Sequence, residues 1–281
     1  MSAPRLSALT RIFLLLGFVF LYAPMLILVI YSFNASDRVA VWGGFSVRWY
    51  GELIRDPQML GAAWISLRIA FMTATAAVAL GTLAAVVLTR LHRFRGRTAF
   101  SGLITAPLVM PEVITGLSLL LLFVSLGQWL GWPSQRGMLT IWIAHVTFST
   151  AYVAVVVSSR LAEMDMSLEE AAMDLGAGRF KTFVTITLPI IAPALVAGWL
   201  LAFTLSLDDL VIASFVSGPS ATTLPMVVFS SVRLGVSPQI NALAAILIIA
   251  VAVAAFVGWL LMRRKERRYR RDAQLALQQG G

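Results

Sequence analysis

The sequence contains no cysteine and only two histidines, and charged residues make up only 12% of its 281 residues. The missing cysteines exclude disulfides, iron–sulfur clusters and thiolate metal sites. His92 and His145 lie far apart in the sequence, so no histidine metal centre is expected. Hydrophobic residues make up 59%, with a mean hydropathy of +0.86, and one soluble core of this size cannot hide that much apolar surface. The composition therefore predicts an integral membrane protein and excludes a soluble single-domain enzyme.

Long apolar runs define the predicted fold class, an all-α polytopic membrane protein with about six transmembrane helices. Each run is long enough to cross roughly 30 Å of hydrocarbon. The predicted spans are 12–33, 63–89, 99–127, 138–159, 189–217 and 240–262. We expect a single transmembrane domain over 1–281, with its core at 63–262, a cytoplasmic loop at 160–188 and a basic cytoplasmic tail at 263–281. The first run is long for the core of a cleavable signal peptide, so we interpret it as a retained span.

The formal net charge of +9 is concentrated in alternate connections between the spans. Most of the 22 Lys and Arg residues lie on the side of the two termini. This asymmetry predicts that both termini are cytoplasmic. The tail RRKERRYRR then flanks the last span and contacts anionic lipid, so a nucleic-acid partner is not expected.

The cytoplasmic loop at 160–188 carries the most informative polar pattern in the chain. Ser167 followed by Glu170 fits a capping box, which predicts a short helix that starts near Leu168. Gly176 is expected to end this helix as a C-cap, and a second short helix follows it. In one interpretation this element docks on a cytoplasmic partner. In the other it is an ordinary amphipathic connector in which Glu170 only caps the helix.

The same loop resembles the E-A-A-x3-G-x9-I-x-L-P motif of ABC importer permeases at all of the motif's fixed positions. The matching residues are Glu170, Ala171, Ala172, Gly176, Ile186, Leu188 and Pro189. The segments 21–34, 105–123 and 201–244 are similar to the permeases of bacterial polyamine importers, in particular those of putrescine systems. The resemblance covers nearly the whole chain.

This resemblance implies a type I importer in a bacterial inner membrane, with putrescine in transit. Its other components would be a second permease subunit that completes a heterodimer, two ATPase subunits and a periplasmic polyamine-binding protein. The seven motif positions would couple the permease to the ATPase. ATP and Mg would be bound by the ATPase, so no cofactor, catalytic residue or metal ligand is expected in this chain. The absence of a G-x-x-x-x-G-K-[ST] sequence agrees with this assignment.

Three carboxylates within the predicted spans are candidates for the substrate pathway: Glu112, Asp208 and Asp209. A carboxylate at the bilayer centre costs roughly 2.5–3.5 kcal/mol, so such a group should face the bundle interior or water. Adjacent helical residues point about 100° apart, so one aspartate can face the pathway while the other pairs with a neighbour, and Arg68 is one candidate partner. Glu112 either contacts substrate or, as a neutral acid, bonds a carbonyl freed by Pro111.

Two other functional classes remain open on the residues alone. A secondary transporter of organic cations would also explain the intramembrane carboxylates, but it favours inverted repeats. The one internal sequence similarity, between 107–111 and 189–193, relates two spans that run in the same direction. A membrane-embedded enzyme is the third class, although the sequence shows no nucleophile–base pair or metal-ligand spacing. His145 is interpreted as a hydrogen-bonded interior histidine.

Overall fold

The computed structural model describes residues 7–39, 41–91, 93–234 and 237–253 and the single positions 256, 260 and 263. Almost all of the predicted basic tail, together with His92, lies outside these residues. Apart from one isolated antiparallel bridge between Asn34 and Phe45, the described residues form helices and connections without strands. The predicted all-α fold class is therefore confirmed.

The described helices are numbered here in chain order. They are α1 (Ala8–Tyr31), α2 (Arg48–Arg55), α3 (Pro57–Arg90), α4 (Arg97–Val109), α5 (Glu112–Leu130), α6 (Met138–Glu163), α7 (Ser167–Asp174), α8 (Arg179–Thr182), α9 (Leu188–Asp208), α10 (Val211–Val216), α11 (Leu224–Leu234) and α12 (Pro238–Val253). A π-helical turn, Phe183–Thr187, joins α8 to α9. The chain divides into two units, Met1–Pro57 with Ser231–Gly281, and Gln58–Ser230.

Five of the described helices are long and apolar enough to cross a membrane: Leu9–Tyr31, Pro57–Arg90, Glu112–Leu130, Met138–Glu163 and Arg179–Asp208. They correspond to the first five predicted spans. The sixth predicted span, 240–262, is described in part, as α12. α1 carries no buried residue along its apolar window, as expected for a helix that contacts lipid or another protein.

The predicted third span, 99–127, is wrong as a continuous helix. It is divided into α4 and α5 by Met110 and Pro111, both of which have extended ψ angles, 132° and 135°. Proline disfavours helical geometry in the residue before it and has no N–H to donate. Glu112 is consequently the first residue of α5 and does not lie in the middle of a long helix.

The predicted fifth span, 189–217, is also too long. α9 ends at Asp208, Asp209 is extended with a ψ angle of 121°, and the chain starts again as α10. The carboxylate of Asp209 accepts backbone hydrogen bonds from α10, which gives the chain a local alternative to a continuous helix. α11 is a further correction, since the segment 218–239 is a loop in the sequence-based prediction.

α6 is the central helix of the unit Gln58–Ser230. One end of α6 packs with parts of α3, α5 and α10, and the other end packs with α3 and α9. At the second contact two glycines allow the helices to approach closely. A Cβ atom on Gly81 would lie 2.8 Å from Val153 Cβ, and one on Gly198 would lie 3.3 Å from Val153 Cγ1. Close packing through small residues is a common way for membrane helices to associate.

Candidate functional site

The helix predicted in the cytoplasmic loop exists as α7, but its capping is different from the prediction. Ser167 is the first residue of α7 and not its cap, so the capping box is wrong. Asp165 Oδ1 accepts the backbone N–H of Ser167 at 2.9 Å. This hydrogen bond, with a second from the Ser167 side chain, lowers the pKa of Asp165 below its usual value. The start of α7 is therefore fixed by a carboxylate two residues upstream.

The end of α7 agrees with the prediction. Gly176 has a φ angle of +88°, and its N–H donates to the Met173 carbonyl at 2.9 Å. The N–H of Ala177 donates to the Ala172 carbonyl at 3.0 Å. These two bonds form a Schellman motif, in which glycine adopts the left-handed conformation at no steric cost. The role of Gly176 as the helix terminator is confirmed.

The motif residues of α7 lie on an exposed surface. Glu170 and Ala171 are exposed and Ala172 is half-buried. The Glu170 carboxylate makes no hydrogen bond or ion pair with any residue that the structure describes. Two large apolar side chains that follow it in the same loop are almost fully exposed, Leu175 at 89% and Phe180 at 82%. Large exposed apolar side chains are typical of a surface that contacts a protein partner.

The remaining motif positions lie where the loop enters the membrane-spanning helix. Ile186 is half-buried within the π-helical turn, and Leu188 and Pro189 are the first two residues of α9. Pro189 has no N–H to donate to the preceding turn, and the π-helical turn Phe183–Thr187 lies directly before it. The loop and the span are thus one continuous helical segment, Arg179–Asp208.

Glu169 is a functional candidate that the sequence-based prediction missed. Its Oε1 atom accepts from Arg90 Nη2 at 2.9 Å and from Thr187 Oγ1 at 2.6 Å. The side chains of Arg90 and Glu169 are only 17% and 14% exposed. The sequence did contain a signal for this role. Consecutive residues of a helix point about 100° apart, so Glu169 faces inward when Glu170 faces outward.

A cavity of about 490 Å³ lies where the two helix breaks meet. Glu112, at the start of α5, and Asp208, at the end of α9, line it together with Asp209. Its other lining residues are Pro107, Leu108, Met110, Pro111, Thr115, Phe148, Tyr152, Leu205, Leu210, Val211 and Ile212. Glu112 and Asp208 are exposed, and within the described part of the chain the Glu112 carboxylate makes no hydrogen bond. The structure therefore brings the three predicted carboxylates together at one cavity.

Asp209 differs from Asp208 because it is buried and fully engaged. Its Oδ2 atom accepts from His145 Nε2 at 3.1 Å and from the Ala213 N–H at 2.7 Å. His145 Nδ1 contacts Ser206 Oγ at 2.7 Å. Because a carboxylate only accepts, the Nε2 atom of His145 carries a proton and donates it in the hydrogen bond to Asp209. His145 is thus a buried, hydrogen-bonded histidine as predicted.

The partner of Asp209 is His145 on α6, and Arg68 does not fill this role. Arg68 is exposed on α3, and the described residues form no ion pair with it.

The composition of a catalytic triad is found in Ser206, His145 and Asp209, an association that sequence spacing did not indicate. Ser206 and His145 are both buried and neither lines the cavity, so a substrate in the cavity does not reach the serine oxygen. The three residues connect α6 to the break between α9 and α10. Within the described residues no group of three or more His, Cys, Asp or Glu is arranged to hold a metal ion.

Comparison with known proteins relates the chain to bacterial permeases over nearly its full length. The chain is 68% identical over 265 residues to the putrescine transport system permease protein PotI of Escherichia coli K12, covering 94% of each chain. It is 42% identical over 248 residues to the spermidine/putrescine transport system permease protein PotC of the same strain, covering 88% of this chain and 91% of PotC.

The comparison with solved structures shows a shared fold. A bacterial ABC transporter involved in the import of the acidic polysaccharide alginate has a TM-score of 0.68 at 20% identity, covering 93% of this chain and 99% of that one. The alginate transporter in complex with its alginate pentasaccharide-bound periplasmic protein has a TM-score of 0.67 at 16% identity, covering 89% and 91%. Residues 77–271 match the family described as binding-protein-dependent transport system inner membrane component. The chain therefore belongs to this family of inner-membrane transport permeases.

Proposed function

We propose that this permease imports putrescine, as one half of the translocation pathway of an ATP-driven importer. The observation that carries the proposal is the 68% identity to the putrescine permease PotI over 94% of both chains. The acidic cavity supports it independently, because a diammonium ion that leaves water needs negative partners along its path. Family membership does not favour the secondary transporter of organic cations.

The proposed assembly contains a second permease subunit, two ATPase subunits and a periplasmic polyamine-binding protein. A periplasmic protein is bound in one of the related alginate transporter structures, which supports the last of these partners. ATP and Mg would bind to the ATPase subunits, so this chain would need no cofactor. The distribution of Lys and Arg supports a multi-pass arrangement in lipid with both termini in the cytoplasm.

The proposed contact with the ATPase is formed by α7 and the start of α9. The docking face is provided by Glu170, Ala171 and Ala172. Gly176 ends the helix, and the residue before it, Leu175, has an exposed side chain. Ile186, Leu188 and Pro189 continue the segment into the membrane span. The exposed, unengaged carboxylate of Glu170 supports a contact with a partner over a role as an internal cap.

Within the cavity, Asp208 and Glu112 are the proposed contacts for the substrate in transit. Both side chains are exposed and belong to helix ends that meet at the cavity. Asp209 also borders the cavity, but its carboxylate is engaged by His145 and by α10. Its proposed part in the pathway is to hold the break at which Asp208 is presented. A few separated carboxylates also suit passage better than a closed cage, which would retain the cation.

Radiolabelled putrescine uptake in cells that lack their own permease tests this proposal. Wild type should restore uptake, and Asp208→Asn and Glu112→Gln should each lower it about tenfold or more at low putrescine, since a hydrogen bond to a charged group contributes about 1.5–3 kcal/mol. Glu52→Gln, an exposed carboxylate of α2, is the matched control and should transport as wild type. Normal uptake by both cavity variants would refute the pathway, and no uptake by wild type with every partner present would refute the substrate.

A further inference from the structure

Two consecutive glutamates of α7 have opposite surroundings. Glu170 is exposed and unengaged among the described residues, whereas the Glu169 side chain is 14% exposed and bonded to two other elements. The division follows from the helix, because neighbours point about 100° apart. If a partner moves α7 through contacts on one face, the membrane helices move with it only when they are attached to another face of α7. Glu169 lies on that other face.

The attachment joins α7 to two membrane helices through one oxygen atom. Arg90, the last residue of α3, donates from Nη2 to Glu169 Oε1 at 2.9 Å, and Thr187 donates from Oγ1 to the same atom at 2.6 Å. Thr187 is buried, and Arg90 is largely shielded. Hydrogen bonds to a charged carboxylate are shorter and stronger than neutral ones, and they are screened less when they are shielded from water.

Both anchors lead directly into the packed part of the molecule. Thr187 is the last residue of the π-helical turn Phe183–Thr187, and such turns occur frequently at functional positions. α9 begins at the next residue and continues without interruption to Asp208 at the cavity, about 30 Å away. α3 and α9 pack together on α6 through the cluster that contains Ala77, Val157 and Ile191.

We propose that Glu169 is the positioning residue that makes α3 and α9 move together with α7. The inference rests on the proposed function, because it assumes that an ATPase moves α7. In this arrangement Glu170 faces the partner, Glu169 holds the membrane helices, and α9 carries the displacement to Asp208. Without the Glu169 attachment, α7 would still dock, but it would move without the helices that line the cavity.

The first test measures coupling in the full complex, purified with its ATPase subunits and reconstituted in liposomes. The variants are Glu169→Gln and Thr187→Val. For each variant we compare the amount of ATPase subunit that co-purifies, the rate of ATP hydrolysis and the putrescine imported per ATP hydrolysed. We expect both variants to retain the ATPase and to hydrolyse ATP, while import per ATP falls on the order of tenfold. Thr187→Ser, which keeps the hydroxyl donor, should restore it.

Two neighbouring substitutions are the matched controls. Glu163→Gln removes an exposed ion pair with Arg160 at the end of α6. Thr185→Val removes a hydroxyl that, among the described residues, bonds only to the Lys181 carbonyl of its own helix. Both should import as wild type. The proposal is overturned if the Glu169 and Thr187 variants transport normally, or if import and ATP hydrolysis fall in parallel, as a merely structural role would produce.

The second test does not depend on the substrate. Because the chain has no cysteine, spin labels can be placed at Asp174→Cys on α7 and Leu83→Cys on α3, both exposed positions. In the complex with otherwise native sequence we expect one narrow label distance that is kept when ATP is added, and with Glu169→Gln a broadened distribution. Equal distributions would overturn the role of Glu169. If the label distances behave as expected but the wild-type complex imports no putrescine, only the substrate assignment is refuted.

Discussion

At the scale of single residues, the consecutive carboxylates Asp208 and Asp209 perform different physical tasks. Asp208 is an exposed helix end at a cavity, while Asp209 is buried and accepts hydrogen bonds from His145 and from the first turn of α10. Their sequence context is nearly the same, so the difference arises from the break in the helix and from the position of α6. Substitutions at the two positions should therefore have distinct effects.

We expect Asp209→Ala to lower the free energy of unfolding by about 2–4 kcal/mol, because His145 and two N–H groups of α10 lose their acceptor. Asp208→Ala should change it by less than about 0.5 kcal/mol, since that side chain is exposed. Thermal unfolding of the purified protein in detergent measures both values. Equal destabilisation by the two substitutions would contradict the assignment of separate roles.

Asp165 gives a second prediction at this scale, with a defined dependence on pH. Its pKa is lowered by the backbone and side-chain hydrogen bonds of Ser167, so its capping contribution is present above the ordinary value of 3.8 and is lost as the pH falls below it. At neutral pH, Asp165→Ala should speed amide exchange in the first turn of α7. Asp174→Ala, an exposed carboxylate at the other end of the helix, should leave that turn unchanged. The same exchange rate in both variants would show that Asp165 does not cap α7.

At the scale of helices, the two breaks at the cavity have different causes and were predictable to different extents. Pro111 is a local signal, because it restricts Met110 and removes a hydrogen-bond donor. Its effect on Glu112 was predictable from the sequence, although the span was not predicted to divide there. The break at Asp209 has a local element too, because its carboxylate accepts N–H groups of α10. The same carboxylate is also bonded to His145, 64 positions away in the chain, and pattern-based reasoning about a single apolar run does not find that contact.

Close helix contacts give a prediction for α3. Gly81→Ala should destabilise the protein by about 1–3 kcal/mol, because the new methyl group would lie 2.8 Å from Val153. Gly61→Ala, on the same helix with no atom within 4 Å, should be neutral or slightly stabilising because alanine favours helix. Unfolding temperatures of the two variants at matched expression provide the comparison. A stable Gly81→Ala variant would show that this contact is loosely packed.

At the scale of the whole molecule, the proposed docking face on α7 and the acidic cavity lie at opposite ends of one helix. α9 starts beside α7 and ends at Asp208, so a single helix links the loop 160–188 to the cavity. The sequence predicted the fold class, the first five spans in outline and the end of α7 at Gly176, because apolar length and glycine chemistry are local. Glu169, Arg90 and Thr187 could not be found in that way, since their association depends on the packing of three separate elements.

We propose that ATP hydrolysis on a partner subunit drives this permease through the loop 160–188. The most direct measurement is putrescine import into liposomes that contain the permease with its partner subunits and binding protein, with ATP and with a proton gradient supplied separately. We predict import with ATP alone, unaffected when the gradient is collapsed. Glu170→Ala should abolish this import and cause loss of the ATPase subunit. Import driven by the proton gradient without ATP would contradict it and would indicate a secondary transporter.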